Sequence, residues 1–216
     1  MDIKAILFDF DGTLADTLPV CFSSFEGVFK DFDNRDVTTE EIKSMFGPSE
    51  TGIIRENLKN KNAEKAIERY YEIYQERHKD LVEGNDEMTA LIKQLKNDGY
   101  KLGIVTGKAR RSLDISLECL ELTNYFDVMI TGDDVDSPKP HPEGIFNAMD
   151  YINVGMNEAI FLGDSDADIL AGKKAGVYTI GVQWLPNFQT EEFSVQPDAF
   201  FKSIEELNAF LQRNPF

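Results

Sequence analysis

Ile6-Leu7-Phe8 runs straight into Asp9-Phe10-Asp11-Gly12-Thr13, so an apolar segment ends in two carboxylates one residue apart. A strand in a parallel sheet is buried on both faces and reads as a near-continuous apolar run. Carboxylates are seldom buried unless they are paired or bound to a cation. Ligands of open α/β sheets settle at the carboxyl ends of the strands. The segment therefore predicts a first strand that delivers acids to a hard-cation site on that edge. Successive strand side chains point to opposite faces and residues two apart share one, so Asp9 and Asp11 can be aimed differently around one site if the chain turns between them. Gly12 supplies such a turn and lets the two acids take different tasks.

Further apolar runs follow the same plan. Strands are expected over 4–9, 101–106, 128–131, 159–163 and 178–182, with a weaker one over 199–201. Between them apolar residues recur three and four apart, as in Met88, Leu91, Ile92 and Leu95, in Leu113, Leu117 and Leu120, and in Ile145, Met149 and Ile152. Asn97, Gly99 and Gly176 sit where helices should stop. Strand and helix in alternation predict an α/β fold, a Rossmann-like parallel sheet with helices on both faces. The stretch 17–82 breaks the pattern, because it contains no strand-like run. Four helical patterns fill it, beginning with Val20, Phe22, Phe25, Val28 and Phe29 and ending with Ala66, Ile67, Tyr70, Tyr71 and Tyr74. This is an all-helical insertion whose aromatic stripe reads as its own core. The expected division is a core of 1–16 and 84–216 and a helical unit of 17–83, with Glu83-Gly84-Asn85 as the return hinge.

Composition excludes several classes of function. The 216 residues carry a formal charge of −17, which argues against general binding to nucleic acid or to anionic membranes. It leaves anionic substrates open, because a bound metal and a few basic groups can reverse the potential locally. Two cysteines far apart and two histidines provide no zinc ligand set. Met1-Asp2-Ile3-Lys4 does not begin a signal peptide, and no apolar run approaches a membrane span of roughly 18 residues. A cytoplasmic location is the expectation.

Four strand ends carry polar groups suited to one reaction. They are Asp9 and Asp11, then Thr106-Gly107-Lys108, then Lys139 within Ser137-Pro138-Lys139-Pro140, and last Gly163-Asp164-Ser165-Asp166-Ala167-Asp168. Phosphoryl transfer needs a divalent cation held by one or two carboxylates, and Asp9 and Asp164 can supply them. A hydroxyl and an ammonium must hold the other phosphate oxygens, which suits Thr106 and Lys139, and the Gly107 backbone can add a donor. One carboxylate can become a covalent phospho-enzyme while another gives and takes a proton.

These residues, Asp9-x-Asp11-Gly12-Thr13, Thr106, Lys139 and Gly163-Asp164-x-x-x-Asp168, resemble the four motifs of the haloacid dehalogenase-like hydrolase superfamily, in the same order and over nearly the whole chain. The resemblance implies Asp9 as nucleophile, Asp11 as general acid and base, and Thr106 and Lys139 as binders of the transferring phosphate. It implies Mg2+ between Asp9, Asp164 and the backbone carbonyl of Asp11, with Asp168 as a further ligand or as a support behind them. It also implies a central first strand flanked by the second and fourth. An acid at position 11 suits an alkoxide leaving group, which needs a proton, and so points to phosphate esters or anhydrides. The insertion resembles the helical cap of phosphoglycolate phosphatase-like and β-phosphoglucomutase-like members, hinged at Asp16-Thr17 and Glu83-Gly84. The implied function is a Mg2+-dependent phosphatase acting on a small phosphorylated metabolite, with phosphoglycolate-like acids, sugar phosphates and pyrophosphate as leading substrates. The alternatives are a phosphosugar mutase and, more distantly, a phospho-accepting receiver domain.

Several residues have plainer readings. Asp166 reads as the cap of the helix that follows it, and His141 as a loop residue. Arg55 and Lys59 read as a solvated helix face that could also reach an anionic substrate tail, and Arg110 and Arg111 as surface charge. Gly107 stands where many relatives of the family carry Asn. For Lys108, solvated surface and phosphate contact are equal readings. Neither the physiological substrate nor the oligomeric state is legible in the sequence.

Overall fold

The computed structural model describes residues 3–213. Residues 1, 2 and 214–216, which belong to the expected core, lie outside the described residues. The chain runs β1 (Ala5–Phe8), α1 (Leu18–Asp33), α2 (Thr39–Ser44), α3 (Glu50–Asn57), α4 (Ala63–Leu81), α5 (Asp86–Asn97), β2 (Lys101–Val105), α6 (Arg110–Cys119), β3 (Val128–Ile130), α7 (Glu143–Ile152), β4 (Ala159–Gly163), α8 (Asp166–Ala175), β5 (Tyr178–Val182), β6 (Ala199–Phe201) and α9 (Ile204–Arg213). The strands form one sheet in the order β3-β2-β1-β4-β5-β6, and every neighbouring pair is parallel. The Rossmann-like core and the helical cap expected from the sequence are both present, with β1 between β2 and β4.

The alternation of β1 explains the layering. Ile6 and Phe8 face one apolar layer with Leu91 and Leu95 of α5, Leu113 and Leu117 of α6, and Leu207 of α9. Ala5 and Leu7 face the other layer, with Ile145 and Met149 of α7 and Ala171 of α8. All four residues of β1 are fully buried, so both faces of the strand are sealed. Helix α9 has no counterpart in the sequence-based expectation. Its Ile204, Leu207 and Leu211 are buried at helical spacing, and it packs on α5 and β6. No helix among the described residues is long and apolar enough to cross a membrane.

Helices α1–α4 pack around a third apolar cluster of their own. Pro19 opens α1, where its missing N–H costs nothing, and Asn34 closes it with φ +48°. Thr38 and Glu41 cap α2 reciprocally. The aromatic stripe of α4 is bundle core, as expected: Tyr70 meets the Phe25 ring at 4.7 Å and the Tyr71 ring edge-on at 5.6 Å. The bundle leans on the sheet core mainly through α4 and α6, where Ser116 Oγ lies 2.7 Å from Tyr74 Oη and 3.0 Å from His78 Nε2. Burial and the nearby Lys108 ammonium push His78 down to about 4, so the ring sits there uncharged near neutral pH.

Among the described residues of the bundle, Arg35 Nε and Nη2 and the Tyr70 hydroxyl are left over. The Tyr70 hydroxyl is buried without a hydrogen-bond partner, and such a group costs its desolvation without compensation. Tyr70→Phe is expected to raise stability by about 1 kcal/mol, read from the urea midpoint at unchanged slope. A loss of stability would mean that the hydroxyl has a partner in solution.

Candidate active site

The site forms where β1, β2 and β4 end. Asp9 follows β1, and its N–H donates to Leu162 O at 2.8 Å, which ties it to β4. The chain then turns tightly, with Phe10 O accepting from the N–H groups of Thr13, Leu14 and Ala15 and with Gly12 at φ +81°. A side chain at Gly12 would also run into the Asp164 carboxylate, so glycine is required there on two counts. The turn sends the two acids opposite ways around one cavity. Asp9 faces Asp164, Asp168 and Lys139, whereas Asp11 faces the helical unit.

On the Asp9 side, Lys139 Nζ donates to Asp9 Oδ1 at 2.7 Å, to Asp168 Oδ1 at 2.5 Å and to Val105 O at 3.3 Å. Pro138 and Pro140 flank it, and the Lys139–Pro140 peptide is cis. Asp168 also accepts from the Ser165 hydroxyl at 2.5 Å and from the Ser165 N–H at 3.0 Å, while Ser165 caps α8 through the Asp168 N–H. That finding corrects the expectation for Asp166, which is the first helical residue and accepts from Ser194 N–H instead. Asp164 accepts from Gln189 N–H at 2.7 Å and from the Thr13 hydroxyl at 3.3 Å. Thr106 and Gly107 line the same cavity just past β2, and the Thr106 hydroxyl accepts from Lys108 N–H at 3.3 Å.

Charge balance defines this corner. One oxygen from each of Asp9, Asp164 and Asp168 lies within 4.8 Å of the others, all three residues are buried, and one ammonium serves them. Burial, then the Asp168 charge, pushes Asp9 up to about 7 even though Lys139 pulls it down. Asp164 is raised too, by burial and by its neighbours Asp168 and Asp9. Burial alone would lower Lys139, but Asp168 and Asp9 hold it above its ordinary value. An all-oxygen, anion-rich donor set of this kind fits a hard divalent cation and does not fit zinc or copper.

On the Asp11 side, Asp11 Oδ1 accepts from the Thr17 hydroxyl and from Lys108 Nζ at 3.0 Å. Lys108 is neither solvated nor free to meet a phosphate. Its side chain is fully buried and its ammonium lies 4.6 Å above the Tyr74 ring. Burial would lower it, but Asp11, Cys21, Tyr74 and Glu50 together hold it well above the usual lysine range. Glu50, at the start of α3, accepts from Ala109 N–H and from the Ser112 hydroxyl at 2.5 Å.

The cavity encloses about 290 Å³ between sheet and bundle, with Leu18, Phe25, Phe46, Pro48 and Ile53 as its apolar wall. The site residues expected from the four motifs, Asp9, Asp11, Thr106, Gly107, Lys139, Asp164 and Asp168, are thus brought to one place. Arg55 pairs with Glu64 on the surface, Lys59 lies exposed beyond α3, and Arg110 and Arg111 pair with Asp134 and Glu68. Cys21, Glu50 and Gln189 belong to the site and carry no sequence signal, since each follows an ordinary turn or sits inside an amphipathic helix.

A model of the haloacid dehalogenase-like hydrolases matches residues 6–182. The chain belongs to that family. Pyrophosphatase PpaX of Bacillus mycoides (strain KBAB4) is 32% identical over 213 residues, covering 99% of each chain. Among solved structures, CbbY from Rhodobacter sphaeroides in complex with phosphate superposes with a TM-score of 0.82 at 25% identity, covering 95% of this chain and 96% of that one. A predicted phosphoglycolate phosphatase from Haemophilus somnus 129pt shares the fold, with a TM-score of 0.83 at 21% identity over 98% of this chain and 99% of that one. The family membership makes the chain an enzyme, a hydrolase whose relatives include phosphatases.

The metal-free hydrolase should lose stability as pH rises from 3.8 to about 7, because Asp9 holds its proton in the folded state and must give it up in that window. Asp164→Asn is expected to raise the metal-free Tm at pH 7, to flatten that slope and to abolish the Tm increase on adding a divalent cation. Thermal scans with and without Mg2+ check all three. An Asp164→Asn protein with a lower metal-free Tm would contradict the charge account.

Proposed function

We propose that the enzyme is a Mg2+-dependent phosphatase that hydrolyses a small phosphorylated metabolite through a phosphoryl group carried on Asp9. The observation that carries this reading is the division of the two β1 acids around one cavity, Asp9 beside Lys139 and Asp11 across from it. Asp9, Asp164 and the Asp11 backbone carbonyl would hold Mg2+, which would offset phosphate charge so that an anionic nucleophile can approach. Asp168 would act behind them by holding Lys139.

In the first half-reaction a carboxylate oxygen of Asp9 bonds to phosphorus and the ester or anhydride oxygen leaves, taking its proton from Asp11. In the second, water gives a proton to Asp11 and its oxygen bonds to phosphorus, which releases phosphate and restores the Asp9 carboxylate. Thr106, the Gly107 backbone and Lys139 would hold the non-bridging oxygens throughout, so that their positions change little between the two steps. Thr17 and Lys108 orient Asp11 toward the leaving group.

The unit 17–83 is the cap in this reading, and 1–16 with 84–216 the catalytic core, hinged at Asp16-Thr17 and Glu83-Gly84. Cap closure would exclude bulk water from the aspartyl phosphate until the leaving group departs. Phosphoglycolate-like acids, sugar phosphates and pyrophosphate are the candidate substrates, the last supported by the likeness to PpaX. Water as the final acceptor distinguishes this reading from a phosphosugar mutase. Unpaired Cys21 and Cys119 suit a cytoplasmic location.

A screen of phosphorylated metabolites with Mg2+ should show release of inorganic phosphate, and Asp9→Asn should lower kcat at least ~10³-fold with the fold intact. Full activity in that variant would remove Asp9 from the chemistry. Isomerisation of a hexose 1-phosphate without phosphate release would transfer the enzyme to the mutases.

A further inference from the structure

The part of the cavity beyond the phosphate-holding groups belongs to the leaving group, and its electrostatics are set by two residues that meet across the boundary between cap and core. Glu50 is the first residue of α3 in the cap, and Lys108 lies in the loop after β2 in the core. Their charged atoms are 3.4 Å apart, and both side chains are almost completely buried.

Lys108 Nζ donates to Asp11 Oδ1 at 3.0 Å and to the Cys21 sulfur at 3.3 Å, and it forms an ion pair with Glu50 at 3.4 Å. Its side chain is sealed from solvent and its ammonium lies against the Tyr74 ring, with its charge already paired with Asp11 and Glu50. Glu50 in turn accepts from Ala109 N–H and the Ser112 hydroxyl and pairs with Lys108; burial raises its carboxyl above the ordinary value, although these three partners pull it down. Lys139, the other basic side chain on the cavity wall, is committed to Asp9 and Asp168 at the phosphate end. The leaving-group half therefore carries one ammonium and the carboxyl groups of Asp11 and Glu50, with apolar walls from Leu18, Phe25, Phe46 and Ile53.

We infer that the Glu50–Lys108 pair selects phosphate monoesters whose leaving group carries no negative charge, such as small alcohols and polyols, over pyrophosphate and phosphoglycolate. The inference rests on the phosphatase reading and narrows its three candidate classes to the uncharged one. A second phosphate or a carboxylate in this half would lose its hydration, find the Lys108 charge already paired with Asp11 and Glu50, and meet the Glu50 carboxyl on the cavity wall. A hydroxylated leaving group loses less on entry and can still donate to the carboxylates. Glu50 acts here as a specificity residue, because it takes up the charge of Lys108 that an anionic leaving group would otherwise use.

Two probes isolate the effect. 2-Hydroxyethyl phosphate and 2-phosphoglycolate differ only in a terminal CH2OH against a carboxylate. Wild-type enzyme with Mg2+ should favour the first by at least about tenfold in kcat/KM, and pyrophosphate should rank with the second. Glu50→Gln keeps the size and one acceptor but removes one of the two acids paired with the ammonium, and should move that ratio about tenfold toward 2-phosphoglycolate. Loss of activity by the same factor on both esters would make Glu50 only an anchor of the cap and overturn the proposal. Should Glu50→Gln fail to fold, calorimetric binding of the two esters to Asp9→Asn with Mg2+ decides: tighter 2-hydroxyethyl phosphate supports the proposal, and equal or tighter 2-phosphoglycolate overturns it. Binding to Asp9→Asn remains readable if wild type releases phosphate from no compound, an outcome that would end the phosphatase reading alone.

Discussion

Three buried carboxylates around one ammonium are the constraint on which the rest of the molecule turns. Asp9, Asp164 and Asp168 approach one another at the ends of two adjacent parallel strands, and Lys139 offsets only part of their charge. Like charges brought together out of water oppose folding, as the raised values of Asp9 and Asp164 record. The surrounding fold is arranged to tolerate this. Gly12 leaves room for Asp164, Gly163 leaves room for Asp168, and Ser165 and Gln189 donate into the cluster. In the proposed reading the unbalanced negative charge left over is what would draw a divalent cation to the site, and through the cation a phosphate.

The tight turn that follows β1 then separates two kinds of chemistry. Asp9 and Asp11 stand one residue apart, and the turn at Gly12 points them at different surroundings. Asp9 belongs to the sheet and its neighbours come from β1, β4 and the Lys139 loop. Asp11 belongs to the boundary, held by Thr17 below the cap and by Lys108, which itself answers to Cys21, Glu50 and Tyr74 of the cap. On the proposed mechanism the attacking group is fixed by the rigid core, and the proton donor is held by contacts that involve both units. Any motion of the cap would therefore reach Asp11 before it reached Asp9.

The fold was largely legible because parallel strands buried on both faces announce themselves as apolar runs, and each here ends in turn residues. Asp9, Thr106 and Asp164 could be picked out since each sits just beyond such a run, where topology must bring them together, whereas Lys139 lies in a proline-flanked loop well past β3 and stood out through the family resemblance. Lys108 could not be read, because a lysine beside a glycine looks the same whether it faces water or lies under a helical bundle. Its burial follows from Tyr74 and Glu50, residues dozens of positions away. Gln189 sits in a loop with no periodicity, and its place against Asp164 depends on how β5 and β6 lay that loop across the sheet edge. Helix α9 was missed for a related reason: its Ile204, Leu207 and Leu211 span too few turns to stand out without α5 beneath them. Asp166 was mistaken for a cap because three acids and a serine crowd one turn, and only the geometry distinguishes which of them faces the free N–H groups.

The cap has an apolar cluster separate from those on the two faces of the sheet, so its shape is set mostly by its own sequence. The Asp9 end of the cavity, in contrast, is built almost wholly from loops that follow strands of the core. Substitutions in the cap can thus alter what surrounds a leaving group without disturbing the carboxylates and the lysine that would act on phosphorus. The Glu50–Lys108 contact is where this independence is broken, since it joins a cap residue to the same ammonium that holds Asp11. If cap residues choose the substrate, this is the point at which the choice would reach the proton donor. Selectivity at this contact would therefore act on the leaving group and its proton together, rather than on binding alone.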